Sequence, residues 1–217
     1  MNEKFAGVYE EGRDLLTENL VKGKKVYTEK IVHSNGKEYR TWNPFRSKLA
    51  AAMKKGLKTF PFAKDAKLLY LGASTGTTVS HLSDIMTHGE IYAVEIAPQM
   101  IRRLMELAEH RHNIVPIHAD ARMPADYAEV GQVDAVYQDV AQPDQDDILI
   151  KNCQQFLKKG GIAMLCIKSQ CIDVTLEPKV VFEKVLLKLE KHFEVLEKIM
   201  IEPFDQDHLF VVLKFKG

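Results

Sequence analysis

The chain has 217 residues, of which 46% are hydrophobic and 28% charged, enough for one α/β domain with a small additional module. Lys and Arg together number 30, and so do Asp and Glu, so the formal net charge is zero. This balance disfavours a protein that holds a long nucleic acid on its own, because such binding depends on a surplus of positive charge. A local basic patch, or a partner that carries the nucleic acid, is still compatible with it.

The cysteines and the N-terminus indicate the compartment. Cys153, Cys166 and Cys171 have neither an even count nor the spacing of a metal site, so we expect free thiols in a reducing environment and no metal. The charged start, Met1-Asn2-Glu3-Lys4, has no apolar signal segment behind it, and no apolar run approaches the length of a bilayer span. We therefore expect a cytoplasmic protein without a membrane partner.

Residues 1–45 are predicted to form a small antiparallel β module. Two β-like runs, Val26–Val32 and Lys37–Trp42, flank Ser34-Asn35-Gly36, and Asn-Gly between such runs is a strong hairpin signal because both residues tolerate positive φ. The earlier segments Gly7–Glu10 and Leu15–Thr17 are expected to add a strand or two. A simple β extension of the main domain is the alternative.

Residues 46–217 are predicted to form the main domain. It should begin with a helix over Ser47–Lys58 and continue with strands and helices in alternation, which is typical of a parallel sheet covered by helices on both faces. Strands are predicted at Leu68–Leu71, Glu90–Glu95, Ile114–His118, Val133–Gln138 and Ile162–Lys168, with helices at Thr78–Met86, Pro98–Glu109, Asp144–Leu157 and Val180–His192. The last two strands, Phe193–Ile201 and His208–Phe215, have so short a connection that they should be antiparallel.

The stretch Gly72-Ala73-Ser74-Thr75-Gly76-Thr77-Thr78 lies between the first of these strands and its helix. Glycines in such a turn let a cofactor approach the backbone closely, so Gly72, Ala73 and Gly76 are candidate cofactor residues. The spacing does not match the dinucleotide pattern G-x-G-x-x-G. By itself the loop indicates either a nucleotide-like cofactor or an ordinary turn between a strand and a helix.

Polar residues follow the next strands, at the sheet edge where ligands of such folds bind. Glu95 ends the second strand and could accept hydrogen bonds from both hydroxyls of a ribose, although it could also be a solvated acid. Asp120 follows the third strand and could accept a hydrogen bond from the amine of an adenine, although a plain turn aspartate is as good an interpretation.

Asp139 and Lys168 end the fourth and fifth strands, which lie side by side in this class of fold. A lysine after a run that reads as a buried central strand must pair or reach solvent, so we expect it to pair with Asp139. A purely structural ion pair is the alternative. Lys48, near the start of the first helix, and His208, at the start of the last strand, are candidates only if they converge on this pair.

Several linked motifs together resemble the archaeal fibrillarin family over nearly the whole chain. They are the segment Trp42–Ala52, the loop Gly72–His81, the segment Asp139–Pro143 and the segment Ile172–Val174. The family comprises S-adenosylmethionine-dependent RNA 2′-O-methyltransferases of box C/D guide ribonucleoproteins. The resemblance implies a Rossmann-like methyltransferase fold, with a seven-stranded, mostly parallel sheet that ends in an antiparallel strand.

The resemblance also implies roles for single residues. A catalytic Lys-Asp-Lys-His set would fall on Lys48, Asp139, Lys168 and His208. Contacts with S-adenosylmethionine would fall on Thr77, Thr78, Glu95, Ile96, Asp120, Ala121, Asp139, Val140, Ala141 and Gln142. The chain departs from the usual pattern in having Asn43 where Asp is frequent and Ile96 where an aromatic residue is common.

The implied reaction is methylation of ribose 2′-hydroxyls in rRNA, and in tRNA as a further substrate. The implied partners are a box C/D guide RNA, a Nop-domain scaffold protein and a kink-turn-binding protein. Alternatives are an NAD-dependent oxidoreductase, which would need the missing G-x-G-x-x-G loop, a methyltransferase for small molecules, and a non-catalytic assembly subunit.

Overall fold

The computed structural model describes all residues from 1 to 217. Its N-terminal part is a five-stranded antiparallel sheet with the strand order β1-β2-β3-β5-β4. The strands are β1 (Asn2–Phe5), β2 (Val8–Glu11), β3 (Asp14–Glu18), β4 (Ile31–Ser34) and β5 (Lys37–Trp42). The predicted hairpin is present, and its turn residues Asn35 and Gly36 have φ values of 49° and 75°.

Two features of this sheet differ from the sequence-based expectation. Strand β1 was not predicted, and β4 begins only at Ile31 instead of Val26. The reason is Glu29, whose buried carboxylate accepts hydrogen bonds from the backbone N–H groups of Val26 and Tyr27, at 2.7 Å each. These bonds curl the segment into a loop, so its amides are not available to a neighbouring strand.

The second sheet has seven strands in the order β11-β12-β10-β9-β6-β7-β8. Its strands are β6 (Lys67–Leu71), β7 (Glu90–Glu95), β8 (Ile114–His118), β9 (Val133–Gln138), β10 (Leu157–Lys168), β11 (Phe193–Met200) and β12 (His208–Phe215). All neighbours from β10 to β8 are parallel, whereas β12 is antiparallel to both β10 and β11. The predicted fold class, including the antiparallel end, is confirmed.

Six helices and one 3₁₀ segment connect these strands. They are α1 (Lys48–Lys54), α2 (Thr77–Ile85), α3 (Pro98–Ala108), the 3₁₀ segment Pro124–Val130, α4 (Gln145–Phe156), α5 (Ser169–Ile172) and α6 (Pro178–Leu189). Helix α1 is shorter than predicted, because Ser47 caps its start and the chain turns at Gly56 with φ of 98°. The short α5 and the 3₁₀ segment were not predicted. None of the helices combines the length and the apolar character that a membrane span requires.

Two apolar clusters cover the two faces of the large sheet. One contains residues of α1, α2 and α3 together with Val8, Leu15 and Trp42 of the small sheet. The other contains residues of α4 and α6. Because one cluster joins the small sheet to the large one, the N-terminal strands and the helices beside the glycine loop pack as one body. The division into residues 1–45 and 46–217 stays a prediction.

Strand β6 determines where a ligand can bind. It lies between β9 and β7. The connections that follow β6 and β9 run toward opposite edges of the sheet, and a crevice therefore opens between them at the carboxyl ends of these two strands. Backbone hydrogen bonds close the base of this crevice, from Asp139 N–H to the Leu71 carbonyl and from Gly72 N–H to the Val94 carbonyl, both at 2.9 Å.

Candidate active site

A cavity of about 490 Å³ occupies this crevice, a size suited to a nucleotide-like molecule. All the predicted cofactor residues except Gly76 line it, and so do Lys48 and Lys168. The remaining wall consists of Arg46, Tyr70, Ser74, Thr75, Val94, Ala119, Arg122 and Ile148. The structure therefore brings the predicted cofactor residues and three of the predicted catalytic residues to one place.

The two loop glycines have different structural roles. Gly72 has φ of 80°, and a Cβ there would lie 3.0 Å from the backbone nitrogen of Val140, so the loop approaches the end of β9 as closely as a backbone can. Gly76 lies outside the cavity wall, at the N-cap of α2 with φ of 86°. A Cβ there would lie 2.5 Å from a methyl carbon of Leu107 in α3, so Gly76 permits close packing of the loop against that helix.

Glu95 sits at the end of β7 with only 9% of its surface exposed. Its carboxylate accepts hydrogen bonds from Ser74 N–H at 2.7 Å and from Ala97 N–H at 2.8 Å. Each oxygen of a carboxylate can accept more than one hydrogen bond, so both oxygens retain capacity for hydroxyl donors in the cavity. The two backbone bonds hold the carboxylate in position, as a ribose-binding residue requires.

Asp120 belongs to a small polar group on the opposite wall. One of its oxygens accepts from the Arg122 N–H at 2.9 Å. The Arg122 guanidinium bonds to both oxygens of Asp144 at 2.8 Å and to the Gln142 side chain at 2.7 Å. Sequence reasoning did not single out Arg122, although it lies two residues after Asp120, and it links two segments that carry predicted cofactor residues.

Lys168 and Asp139 form the pair that the strand order predicts. The Lys168 ammonium donates to the Asp139 backbone carbonyl at 2.7 Å and lies 2.7 Å from one oxygen of its carboxylate. Strands β9 and β10 are direct neighbours, so their carboxyl ends place the two side chains together. Both side chains are largely buried yet reach the cavity, which distinguishes this pair from one on the surface.

Lys48 is a second cation on the same carboxylate. Its ammonium lies 3.4 Å from one oxygen of Asp139 and 3.6 Å from Asp205. Burial alone would lower the pKa of Lys48, but the attraction of Asp139 and Asp205 outweighs it and raises the pKa above the ordinary lysine value. Lys48 therefore carries a positive charge at neutral pH.

His208 does not line the cavity but is paired with a residue that does. It is the register partner of Lys168 across β10 and β12, and its Nδ1 is 3.3 Å from Asp205. Asp205 thus lies within 4.0 Å of both Lys48 and His208, and His208 Nδ1 makes its hydrogen bond with the Gln206 carbonyl. Sequence reasoning missed Asp205; the only available signal was its place three residues before a candidate histidine.

Comparisons with known proteins identify the family of the chain. The family model described as Fibrillarin matches residues 1–217. A fibrillarin-like rRNA/tRNA 2′-O-methyltransferase of Methanocaldococcus jannaschii is 48% identical over 224 residues, covering 100% of this chain and 97% of that protein.

Two solved structures are also similar over most of the chain. Aeropyrum pernix fibrillarin, with natively bound S-adenosyl-L-methionine, is 44% identical with a TM-score of 0.86, covering 92% of this chain and 88% of that one. A fibrillarin in complex with Nop5p is 40% identical with a TM-score of 0.90, covering 97% of this chain and 98% of that one. Since the family model matches the chain from its first residue to its last, and relatives of 40% identity or more share its sequence and fold over nearly its whole length, the chain belongs to the fibrillarin family.

Proposed function

We propose that this protein transfers a methyl group from S-adenosylmethionine to the ribose 2′-hydroxyl of target nucleotides in rRNA and tRNA, within a box C/D guide ribonucleoprotein. The observation that carries the proposal is the convergence on one cavity of the glycine loop, Glu95, Asp120 and the Lys48–Asp139–Lys168 cluster. A cofactor site by itself would be common to many enzymes. The adjoining carboxylate with two ammonium groups supplies a place for proton transfer and for a phosphate-bearing substrate.

The cavity fits S-adenosylmethionine by several independent features. Gly72 allows a ligand to lie against the loop backbone, Glu95 offers two fixed carboxylate oxygens, and Asp120 offers an acceptor for an amine. When bound, S-adenosylmethionine supplies a methyl group already activated by its positive sulfur. Much of the acceleration should therefore come from the positioning of the attacking oxygen.

We assign the proton transfer to the cluster at the ends of β9 and β10. In its neutral amine form, Lys168 accepts the proton that leaves the 2′-hydroxyl as that oxygen takes the methyl group, and Asp139 orients the Lys168 side chain, whose nitrogen lies 2.7 Å from both the backbone carbonyl and the carboxylate of Asp139. Lys48 and His208, both within 4.0 Å of Asp205, hold the RNA phosphate and ribose against the cavity.

The charge of the chain supports a need for partners that hold the RNA. A protein whose formal net charge is zero has little capacity to retain RNA alone at physiological salt. The solved complex of a related fibrillarin with Nop5p supports a Nop-domain scaffold for this chain. We further propose that a kink-turn-binding protein anchors the guide RNA, that pairing between guide and target selects the nucleotide, and that the assembly works in the cytoplasm.

The proposal is tested by reconstitution. The isolated chain should bind S-adenosylmethionine and not NAD in a thermal-shift assay, and should methylate RNA negligibly. Addition of scaffold, kink-turn protein and guide RNA should produce methylation at the guided nucleotide. Stabilisation by NAD would favour an oxidoreductase, an inactive complete assembly would favour a non-catalytic subunit, and strong guide-independent methylation by the chain alone would contradict the partner scheme.

A further inference from the structure

A second groove of about 470 Å³ lies beside the cofactor cavity, between helix α3 and the loop of residues 20–30. Basic side chains are prominent in its wall. The basic residues in the lining are Lys24, Lys25, Arg46, Arg103, His110 and Arg111. Glu106 is the one acidic residue in the lining. A chain with no net charge therefore concentrates positive charge on one concave surface.

The lysine-bearing loop has no regular secondary structure, yet it is firmly held. Buried Glu29 binds the amides of Val26 and Tyr27 and forms an ion pair with buried Arg40 at 3.3 Å. Glu38 accepts from Gly23 N–H at 2.8 Å, and the Asn19 side chain donates to the Lys24 carbonyl at 3.1 Å. The backbone that presents the lysines is therefore set before any ligand arrives.

The same contacts turn one nearby carboxylate, that of Glu29, away from the surface. Glu29 is directed inward to Arg40, and Glu38 is engaged by backbone and amide donors. By contrast, the exposed side chains of Lys24, Lys25, Arg46 and Arg103 have no carboxylate within 4.0 Å. Four exposed cations without an ion-pair partner, in a groove whose lining has one acidic residue, suit an anionic ligand with several charges.

The groove is continuous with the proposed active site. Arg46 and Thr75 line both the groove and the cofactor cavity. Arg46 lies two residues before Lys48, which contacts Asp139. A polyanion bound along the groove therefore extends to the cavity, where a 2′-hydroxyl must react.

We propose that this groove binds the ribose-phosphate backbone of the RNA next to the target nucleotide, with Lys24, Lys25, Arg46 and Arg103 contacting phosphates. The inference rests on the proposed function and names the surface by which its substrate is held. The contacts carry no sequence preference, because phosphates are the same at every nucleotide. They therefore suit a system in which base pairing with a guide selects the site.

The test compares two double charge reversals in the complete, reconstituted ribonucleoprotein. The first is Lys24→Glu with Lys25→Glu in the groove. The matched control is Lys179→Glu with Lys184→Glu, two exposed lysines without ion pairs on α6, which packs on the opposite face of the sheet from α3. Assembly, affinity for S-adenosylmethionine, and the kcat and KM for target RNA are measured for both, at several salt concentrations.

The groove variant should raise the KM for target RNA roughly tenfold while assembly and cofactor affinity match the wild type. The slope of the logarithm of its RNA affinity against the logarithm of salt concentration should be smaller, by the amount that about one to two phosphate contacts contribute. The control should leave all of these values near those of the wild type.

Wild-type KM and salt slope in the groove variant would overturn the inference, even if the wild-type assembly methylates normally and the proposed function stands. Weaker assembly of the groove variant, with an unchanged KM for target RNA once the scaffold is saturating, would also overturn the inference. The occupant of the groove would then be an acidic protein surface. An inactive wild-type assembly would instead speak against the proposed function.

Discussion

Thr78, which follows the glycine loop, donates a hydrogen bond from its hydroxyl to the hydroxyl of Ser47 over 2.9 Å. Ser47 is the N-cap of α1 and accepts from the Ala50 amide, and the next residue is Lys48. Thr78 also lines the cofactor cavity. One buried pair of hydroxyls therefore links the loop that faces the cofactor to the start of the helix that carries a proposed catalytic lysine.

Thr78→Val removes this hydroxyl while it keeps the shape of the side chain. The loss of one buried hydrogen bond should cost about 1 kcal/mol, and if that cost falls on the placement of Lys48 it lowers kcat roughly fivefold. Guided methylation and S-adenosylmethionine affinity are measured in parallel. Thr78→Ser, which keeps the hydroxyl, is the control and should stay near the wild type. Equal losses in both variants would assign the effect to packing.

Lys168→Ala should reduce methyl transfer by a factor of at least about a hundred, as removal of a general base does. Cofactor affinity should stay near that of the wild type, because the loop, Glu95 and Asp120 are unchanged. Lys168→Arg separates two explanations, since arginine keeps the positive charge but cannot lose its proton near neutral pH. We expect the arginine variant to be as inactive as the alanine variant in single-turnover assays; substantial activity would mean that Lys168 acts only through its charge.

Asp205→Asn tests the residue that sequence reasoning missed. Asp205 lies 3.6 Å from the Lys48 ammonium and 3.3 Å from His208 Nδ1. The uncharged amide of asparagine should therefore weaken the attraction that holds both side chains in place. Because Asp205 is partly exposed, the expected fall in kcat is modest, about twofold to fivefold. Asp205→Glu should recover part of the activity by restoring the charge, and cofactor affinity should not change in either variant. A wild-type kcat for the asparagine variant would remove Asp205 from the site.

A fully buried histidine joins the small sheet to helix α2. His81 stacks on Trp42 with ring centroids 4.6 Å apart, and its nitrogens lie 2.8 Å from the Thr17 hydroxyl and 2.7 Å from the Tyr27 hydroxyl. The Thr17 hydroxyl donates its hydrogen to Asp84, so Nδ1 of His81 must carry the proton that it shares with Thr17. In the neutral imidazole Nε2 is then an acceptor for the Tyr27 hydroxyl, whose hydrogen can also go to the Thr41 carbonyl at 3.1 Å.

The complete burial of His81 makes the stability of the protein dependent on pH. Burial first, and then the nearby Arg40 and Arg111 guanidiniums, hold the pKa of His81 well below its ordinary value of about 6.5. Below that pH the unfolded chain binds a proton that the folded chain does not, so the free energy of unfolding should fall with decreasing pH. The contribution of one such histidine is at most about 1.4 kcal/mol per pH unit.

Urea unfolding between pH 7.5 and 5 measures this slope. His81→Gln should be less stable than the wild type at pH 7.5, because the new side chain cannot reproduce the stacking, but its slope should be smaller. His88→Gln, at an exposed position, should keep the wild-type slope. An unchanged slope in the His81 variant would show that other groups cause the pH dependence.

Local patterns were sufficient to predict most of the fold. Asn35-Gly36 specified a hairpin because both residues adopt positive φ, and the short connection before His208 required an antiparallel last strand. Segments held by distant side chains were predicted poorly. Residues 26–30 read as a strand, yet Glu29 folds them into a loop through bonds that depend on Arg40 in another strand.

The sequence by itself determined the residue types at the strand ends, the loop that approaches a cofactor and the membership of the family. It determined these because the period of a strand and the conformational freedom of glycine are local properties of the chain. Only the tertiary structure decided that Lys48 shares the Asp139 carboxylate with Lys168, that Asp205 lies within 4.0 Å of both Lys48 and His208, and that Gly76 serves packing. These relations join side chains that are far apart in the sequence, and they arise only when sheet order and helix packing bring those side chains within a few ångströms.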